Sequence, residues 1–306
     1  MRVLFSAGPG RPAALRLVSL ARALQTAGHE VRFSCPARTR HSVVRAGLVP
    51  VRADPWRFSQ AWRPDLVVHD PLCPDSTAIA AMSGVPTIGC LPYAHPPLPP
   101  HPSVWIDPCP PPLRERPEPG AWPVRCDVYE AAGPGAPRPT GPGLRPRVCI
   151  AGMPAGDRSG DRRRARLLRR VAEGVESLGL QVLVLTGDDH PWSLLLPGCV
   201  AVVHGGDEGV VYAAARSGVS QLVLPVGEDE RRAGVRLEQA GVGRCLPDDE
   251  LAGEPSMLRL RFHIADLVNG GRVLPAAARL GRTVARMPPP ADLVPGIEAL
   301  LRRQGN

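Results

Sequence analysis

The 306-residue chain has no lysine: its 37 basic residues are all arginine, set against 29 acidic ones for a formal net charge of +8. Proline and glycine are abundant, at 38 and 32 residues, and the combination has the look of a GC-rich coding bias. An excess of this sign is the usual footprint of an anionic partner. Its one dense run is Arg162–Arg164 with Arg166, Arg169 and Arg170, threaded by Leu167, Leu168 and Val171 at helical spacing. That is the pattern of a solvated amphipathic helix face rather than a nucleic-acid stripe, so no nucleic-acid partner is expected. The eight cysteines (Cys35, Cys73, Cys90, Cys109, Cys126, Cys149, Cys199, Cys245) contain no C-x-x-C pair, and the histidines do not cluster. A zinc site or a disulfide framework needs tighter spacing, so no metal and no cofactor is expected and the thiols read as reduced. In Val148–Ile150 and Cys199–Val203 they serve as small hydrophobes. There is also no uninterrupted apolar run of ~18 residues. Met1–Ser6 is followed by Gly8, Pro9 and Gly10 rather than by a longer apolar region, which does not suit a secretory leader. A cytoplasmic protein with no membrane partner is the expectation.

What is present is regular alternation. Arg2–Ser6 reads as a buried strand, Gly8–Pro12 as a turn, and Ala13–Ala27 as a helix with Leu17, Leu20, Ala21 and Leu24 at its apolar period and Gly28 as its stop. Glu30–Ser34, Asp65–His69 and Pro86–Leu91 continue as strands and Asp75–Ser83 as a helix, the unit of a parallel sheet. From Pro96 to Pro146 the pattern gives way to proline and glycine, which fit neither sheet nor helix interior; this stretch reads as a long interdomain connection. Alternation resumes with strands at Arg147–Ala151, Gln181–Thr186, Ala201–His204 and Gln221–Pro225. Helices are predicted at Asp161–Leu178, Gly209–Ser217 and Arg231–Ala240, then at Leu258–Leu267, Pro275–Arg286 and Ala291–Arg303. The length suits two α/β domains. Their predicted bounds are 1–130, a linker at 131–146, 147–290, and a terminal helix at 291–306 with the option of crossing back to the first domain. Two Rossmann-like doubly wound domains facing across a cleft place a ligand at the carboxyl ends of their strands.

Five segments in order resemble the antibiotic and natural-product glycosyltransferases of actinobacteria, inverting enzymes with the GT-B fold that use nucleotide-activated sugars. They are MRVLFSAGPG…LVSLARALQTAGHEV, WRPDLVVHDPL, VWIDPCPPPLR…PVRCDVYEAAGPG (similar to the family's linker), CVAVVHGGDEGVVYAAARSGVSQLVLPVGEDERRAGVRLEQAGVG, and ARLGRTVARMPPPADLVPGIEAL. The resemblance implies that the fourth binds the sugar donor, with His204 on the diphosphate and Gly205, Gly206 and Gly209 opening a helix whose N–H groups and dipole suit an anion. It also implies that Asp229 and Glu230 hold sugar hydroxyls, although the family usually has Gln where Glu230 stands, and a carboxylate accepts but does not donate.

Other positions depart further. The family pattern HHGGAGTT is HGGDEGVV here, so Gly205, Asp207, Glu208, Val210 and Val211 replace His, Gly, Ala, Thr and Thr. One carboxylate ~5 Å from a phosphate, at an effective dielectric of ~20, costs about 3 kcal/mol, against ~1 kcal/mol from the helix dipole. The general-base His of the family falls on Ala13, which cannot take a proton. Asp70, with His69 beside it, is the replacement candidate; the competing reading is a strand-end pair satisfied by a neighbouring loop. The aromatic that carries the nucleotide base falls on Asp189. Trp192 is the stand-in, unless it simply packs against the helix beginning near Leu194. The excursion between Tyr93 and Trp105 shrinks to AHPPLPPHPS and the loop from Arg52 to Asp65 is short, which leaves an acceptor wall for a partner protein or a second copy to supply.

Two functions follow. The first is transfer of a sugar, with inversion, from a nucleotide-diphosphate donor to a small-molecule polyketide or peptide acceptor. The second is a glycosyltransferase-derived protein that has lost that reaction, either an auxiliary partner or a catalyst such as a cyclase.

Overall fold

The computed structural model describes residues 1–8, 11–93, 102–127, 129, 145–151, 158–185, 190–225, 227–247 and 255–304, without the side chains of residues 11, 12, 158–166, 255, 256 and 304. The chain divides into two compact units, Met1–Tyr129 with Met287–Asn306, and Glu130–Arg286.

The first unit is built on β1 (Arg2–Ser6), β2 (Glu30–Ser34), β3 (Leu66–His69), β4 (Thr87–Cys90), β5 (Val104–Asp107) and β6 (Trp122–Pro123), all parallel, in the order β2-β1-β3-β4-β5-β6. Helix α1 (Arg11–Thr26) begins two residues before the predicted Ala13. It lays Ala14, Leu17, Val18, Ala21 and Leu24 on the Val3, Phe5 and Phe33 face of the sheet, the i, i+3, i+4 stripe of a core-facing helix. The Phe5 and Phe33 rings stack there with centroids 5.7 Å apart. Leu4 and Val67 point to the opposite face, where Ile79 and Ala80 of α4 (Pro74–Met82) and Trp56 and Trp62 of α3 (Pro55–Trp62) cover them. Burial on both faces explains why the inner strands β1 and β3 read as continuous apolar runs. The chain's last segment, a 3-10 turn at Pro290–Leu293 and helix α11 (Val294–Gln304), adds Leu293, Val294 and Ile297 to the core of Val3, Phe5 and Leu17. His29 Nε2 lies 3.1 Å from Glu298 Oε1 beside it.

Two predictions in this unit are corrected. The proline-rich stretch from Pro96 is not all connection, because it contains β5, β6 and a 3-10 turn at Pro111–Leu113. Val104–Asp107 is a short β-branched and aromatic run whose Trp105 and Ile106 are buried. Its prolines, Pro102 and Pro108, stand outside the strand, and Pro123 sits on the edge strand, where its missing N–H costs no ladder bond. The supposed loop from Arg52 to Asp65 holds α3. Asp54 caps it by accepting from Arg57 N at 2.8 Å, and Pro55 occupies the first turn, a start signal of standard form. Helix α2 (Arg40–Arg45) was not predicted either.

The second unit carries β7 (Arg147–Ala151), β8 (Gln181–Val184), β9 (Ala201–His204), β10 (Ser220–Val223) and β11 (Gly243–Cys245), parallel and ordered β11-β10-β9-β7-β8. Val171 and Val175 of α5 (Arg158–Glu176) and Leu260, Ile264 and Leu267 of α9 (Pro255–Asn269) pack on Val148, Ile150, Val203 and Leu222. In the basic run of α5, Arg169 is exposed; Arg162–Arg164 and Arg166 have side chains outside the described set. The remaining helices are α6 (Trp192–Leu195), α7 (Glu208–Ser217), α8 (Glu228–Gln239) and α10 (Val273–Ala285). β11 is an addition to the predicted elements, and α6 is the helix expected near Leu194, begun two residues earlier. Seven of the cysteines are buried and all eight are free thiols. No helix among the described residues is long and apolar enough to cross a membrane.

Both sheets share one winding. The first strand of each unit lies between its second and third, so strand order reverses at β1/β3 in one and at β7/β9 in the other. Such reversals open a crevice at the strands' carboxyl ends, because the connecting helices depart to opposite faces there.

Candidate functional site

His69 and Asp70 fall at the first of these reversals and His204–Gly206 at the second; Trp192 opens α6 after β8, and Asp229 and Glu230 open α8 after β10. Strand β3 ends in Val-Val-His with His69 paired to Ser6, and β9 ends in Val-Val-His with His204 paired to Ala151. Both histidines are buried, and burial lowers the pKa of each; that of His204 falls to about 4. Both imidazoles are therefore neutral near pH 7.

In the first unit Asp70 is held from several sides. Its Oδ1 accepts from Leu72 N at 3.1 Å and lies 3.6 Å from Arg16 of α1, with the two side chains 5% and 4% exposed. Gly8 passes so close that a Cβ there would stand 2.8 Å from Asp70 Oδ2. Behind it, Ser6 Oγ and Ser76 Oγ share a hydrogen bond of 2.8 Å. Asp70 Oδ1 is thus engaged inside its own unit by a backbone N–H and a buried guanidinium. His69, beside it, keeps Nδ1 without a hydrogen-bond partner of good geometry. Asp70's backbone and charge oppose the effect of burial on that ring. Ala13 is half-buried on α1, one turn before Arg16.

In the second unit the geometry settles the protonation of His204. The Gly206 N–H must donate, so Nδ1, 3.1 Å away, accepts; Nε2 then carries the proton and donates to Gln221 Oε1 at 3.0 Å. Gln221 Nε2 in turn faces Val211 O at 3.4 Å, so the chain of bonds ties the glycine turn to α7. Gly206 has φ +100 and packs against α8: a Cβ there would stand 2.7 Å from Glu230 Cβ. No other residue suits that combination. Asp207 is the N-cap of α7, its Oδ1 accepting from Gly209 N at 2.9 Å, and Gly218 ends the helix in the left-handed region. Glu230 Oε2 accepts from Gly227 N at 2.5 Å, one arm of a capping box at the start of α8, while Asp229 beside it is exposed. Trp192 is 5% exposed, edge-on to His190 with centroids 5.2 Å apart. Asp189 lies outside the described residues.

His204 makes hydrogen bonds through both ring nitrogens inside its own unit, one of them with the Gly206 N–H that follows it. Gly206 N–H and Gly209 N–H are likewise engaged. Trp192 is almost wholly buried, with its ring edge-on to His190. Two partners were not anticipated, Arg16 and Gln221. Each left a trace as a polar residue in an otherwise apolar stretch, A-L-R-L-V of α1 and S-Q-L-V of β10. Among the described residues no group of three His, Cys, Asp or Glu is placed to hold a metal ion.

Residues 172–300 match the family model described as "Erythromycin biosynthesis protein CIII-like, C-terminal domain". An L-demethylnoviosyl transferase of Streptomyces niveus is 29% identical over 306 residues, covering 86% of this chain and 78% of that protein. Over most of its length the chain is thus similar to an antibiotic sugar transferase. The TDP-daunosamine transferase DnrS of Streptomyces peucetius is 37% identical over 133 residues, 43% of this chain and 30% of that protein. Among solved structures, spinosyn forosaminyltransferase SpnP superposes with a TM-score of 0.80 at 25% identity, covering 99% of both chains. Spinosyn rhamnosyltransferase SpnG complexed with thymidine diphosphate gives 0.83 at 24% identity, covering 97% of this chain and 100% of that one. The chain therefore has the GT-B fold that its five sequence segments imply.

Proposed function

We propose that the protein transfers a sugar from a nucleotide-diphosphate donor to a small-molecule polyketide or peptide acceptor, with inversion at the anomeric carbon. The observation that carries this reading is the 29% identity to a sugar transferase over 86% of the chain. The placement of His204–Gly206 and of His69–Asp70 at the two strand reversals supports it. The donor's diphosphate lies at the turn before α7, with Gly205, Gly206 and Gly209 giving it room, His204 holding the turn in shape, and Asp229 the exposed acid for sugar hydroxyls. Glu230 supports the start of α8. The acceptor hydroxyl is deprotonated at the end of β3, where His69 is the neutral base and Asp70, locked by Arg16, orients it. Thymidine diphosphate is the ligand of choice for a first test, and the reaction takes place in the cytoplasm, with a second copy or a partner protein completing the acceptor side. The reading predicts that the melting temperature rises in millimolar thymidine diphosphate, since a ligand that binds only the folded state stabilises it by mass action. An unchanged melting temperature counts against it.

The Arg16–Asp70 pair and Ala13 favour a second reading, a scaffold turned to a reaction without sugar transfer. Conversion of a pathway intermediate by the purified protein in the absence of any nucleotide sugar selects it.

A further inference from the structure

We infer that a pocket at the edge of the first unit's sheet, walled by Trp122, Pro123, Pro288 and Leu293 and carrying the Asp292 carboxylate, is a binding site for a small amine, a compact apolar body with one protonated nitrogen. The site stands apart from the strand reversals, and the inference does not depend on the sugar-transfer reading.

The pocket has a volume of about 350 Å³ and is lined by Trp122, Pro123, Pro288, Asp292, Leu293 and Gly296, all of them in the first unit. That is the small end of the range for ligand pockets, which are mostly apolar with a few polar groups that fix orientation. β6 is the outermost strand, three places from β3, so at ~4.8 Å per strand the pocket lies about 14 Å across the sheet from His69 and Asp70. Its walls are supported from behind. Leu293 belongs to the buried core and Trp122, half-buried, packs against it. Arg125 N donates to Pro288 O at 2.7 Å, which ties the chain after β6 to the returning segment. Gly296 of α11 lets the indole lie close, since a Cβ there would stand 3.2 Å from Trp122 Cη2 and Cζ3. Proline side chains have almost no rotamer freedom to lose, so Pro123 and Pro288 offer apolar surface that is already in place.

One charge sets the sign of the ligand. Asp292 is the sole ionisable group among the lining residues, and among the described residues no hydrogen bond reaches its carboxylate. The Arg125 guanidinium is forked onto Asp127 instead, at 2.7 and 3.1 Å. That bond is the main reason its pKa is raised, and the charge of Asp292 contributes least. An anionic ligand is repelled here and a neutral one leaves Asp292 as it was. An ammonium group pairs with the carboxylate and finds a cation–π surface in the indole beside it, while its apolar body covers the proline rings and Leu293. Asp292 is exposed, so water and salt screen the pairing and the apolar walls supply most of the affinity.

Three ligands that share a phenyl ring and differ in charge test this: 2-phenylethylamine, 2-phenylethanol and 3-phenylpropanoate. The full chain is titrated with each at low salt and binding is read by tryptophan fluorescence and calorimetry. The amine is expected to bind one site with a Kd near or below about 1 mM, the alcohol about three- to fivefold more weakly, and the carboxylate more weakly again. Asp292→Asn, shown to be folded by circular dichroism and melting curves, should lose about three- to fivefold in affinity for the amine, with the loss shrinking as salt is raised, and stay within about twofold for the alcohol. Trp122→Phe should remove the fluorescence change that marks the site. Equal binding of amine and carboxylate overturns the inference, because the pocket is then a plain apolar groove. Unchanged amine affinity in folded Asp292→Asn overturns it, as does a fluorescence change that persists in Trp122→Phe, which places the amine elsewhere. No binding of the amine up to ~10 mM, far above the expected Kd, overturns it too. If either variant fails to fold, the order of the three ligands on the unaltered protein still decides.

Discussion

At the scale of single residues, the two buried histidines and the buried Arg16–Asp70 pair turn local geometry into measurable behaviour. His204 is neutral when folded, with a pKa of about 4, against about 6.5 when unfolded. Between those values the unfolded chain binds the proton that the folded one refuses. Stability is thus complete above pH 6.5, falls as the pH drops, and levels off near pH 4, with a slope of about 1.4 kcal/mol per pH unit for one group. His69, lowered in the same direction, adds to the fall. Urea titrations between pH 4 and 7 should show this, and His204→Asn should make the slope shallower. Asp70→Ala should cost about 3 kcal/mol by leaving Arg16 buried without its partner, whereas a purely catalytic carboxylate would lower turnover and leave the denaturation midpoint where it was. Such pairings were only half legible beforehand. The sequence marked His69, Asp70 and His204 as polar groups at strand ends, but not their partners. Arg16 is 54 residues from Asp70 and Gln221 is 17 from His204, and neither spacing belongs to a local motif.

At the scale of elements, the ends of α7 and α8 meet at Gly206 and Glu230. Gly206→Ala combines a left-handed backbone with a Cβ 2.7 Å from Glu230 Cβ, and should lower stability by roughly 1–3 kcal/mol. Glu230→Ala removes the carboxylate from Gly227 N–H and should cost about 1 kcal/mol. Chemical denaturation of both variants checks the order, with the glycine substitution the more damaging. The strands with unbroken apolar interiors, β1, β7 and β9, were readable to the residue because burial on both faces leaves little room for polar residues. What escaped was short or hidden by proline: β5 between Pro102 and Pro108, the two-residue β6, and α3, whose start is written in Asp54-Pro55 rather than in a long apolar period. A strand of four residues makes half its case through neighbours in space, and Ile106 is paired with Cys90 and Trp122 only once the sheet exists.

At the scale of the molecule, the first unit is made from both ends of the chain. Leu293, Val294 and Ile297 complete the core that Val3, Phe5 and Leu17 begin. Truncation after Arg286 should expose the α1 and β1 core, so that limited proteolysis cuts within residues 1–129 first while 147–285 persists. The winding of two parallel α/β units could be read from alternation alone. The return of the C-terminal segment to the first unit could be anticipated only as an option, because nothing in an amphipathic helix says which sheet it will cover. That return has a consequence for how the protein is made. Synthesis runs from the amino end, and domains generally fold in the order they emerge. Here the first unit to leave the ribosome must wait, with Val3 and Phe5 incompletely covered, until residues nearly 300 positions later have been translated. The second unit holds all its strands and core helices by residue 285 and is ready to fold sooner. A stalled or prematurely released chain would therefore carry a finished second unit and an unfinished first one, the part from which aggregation would start.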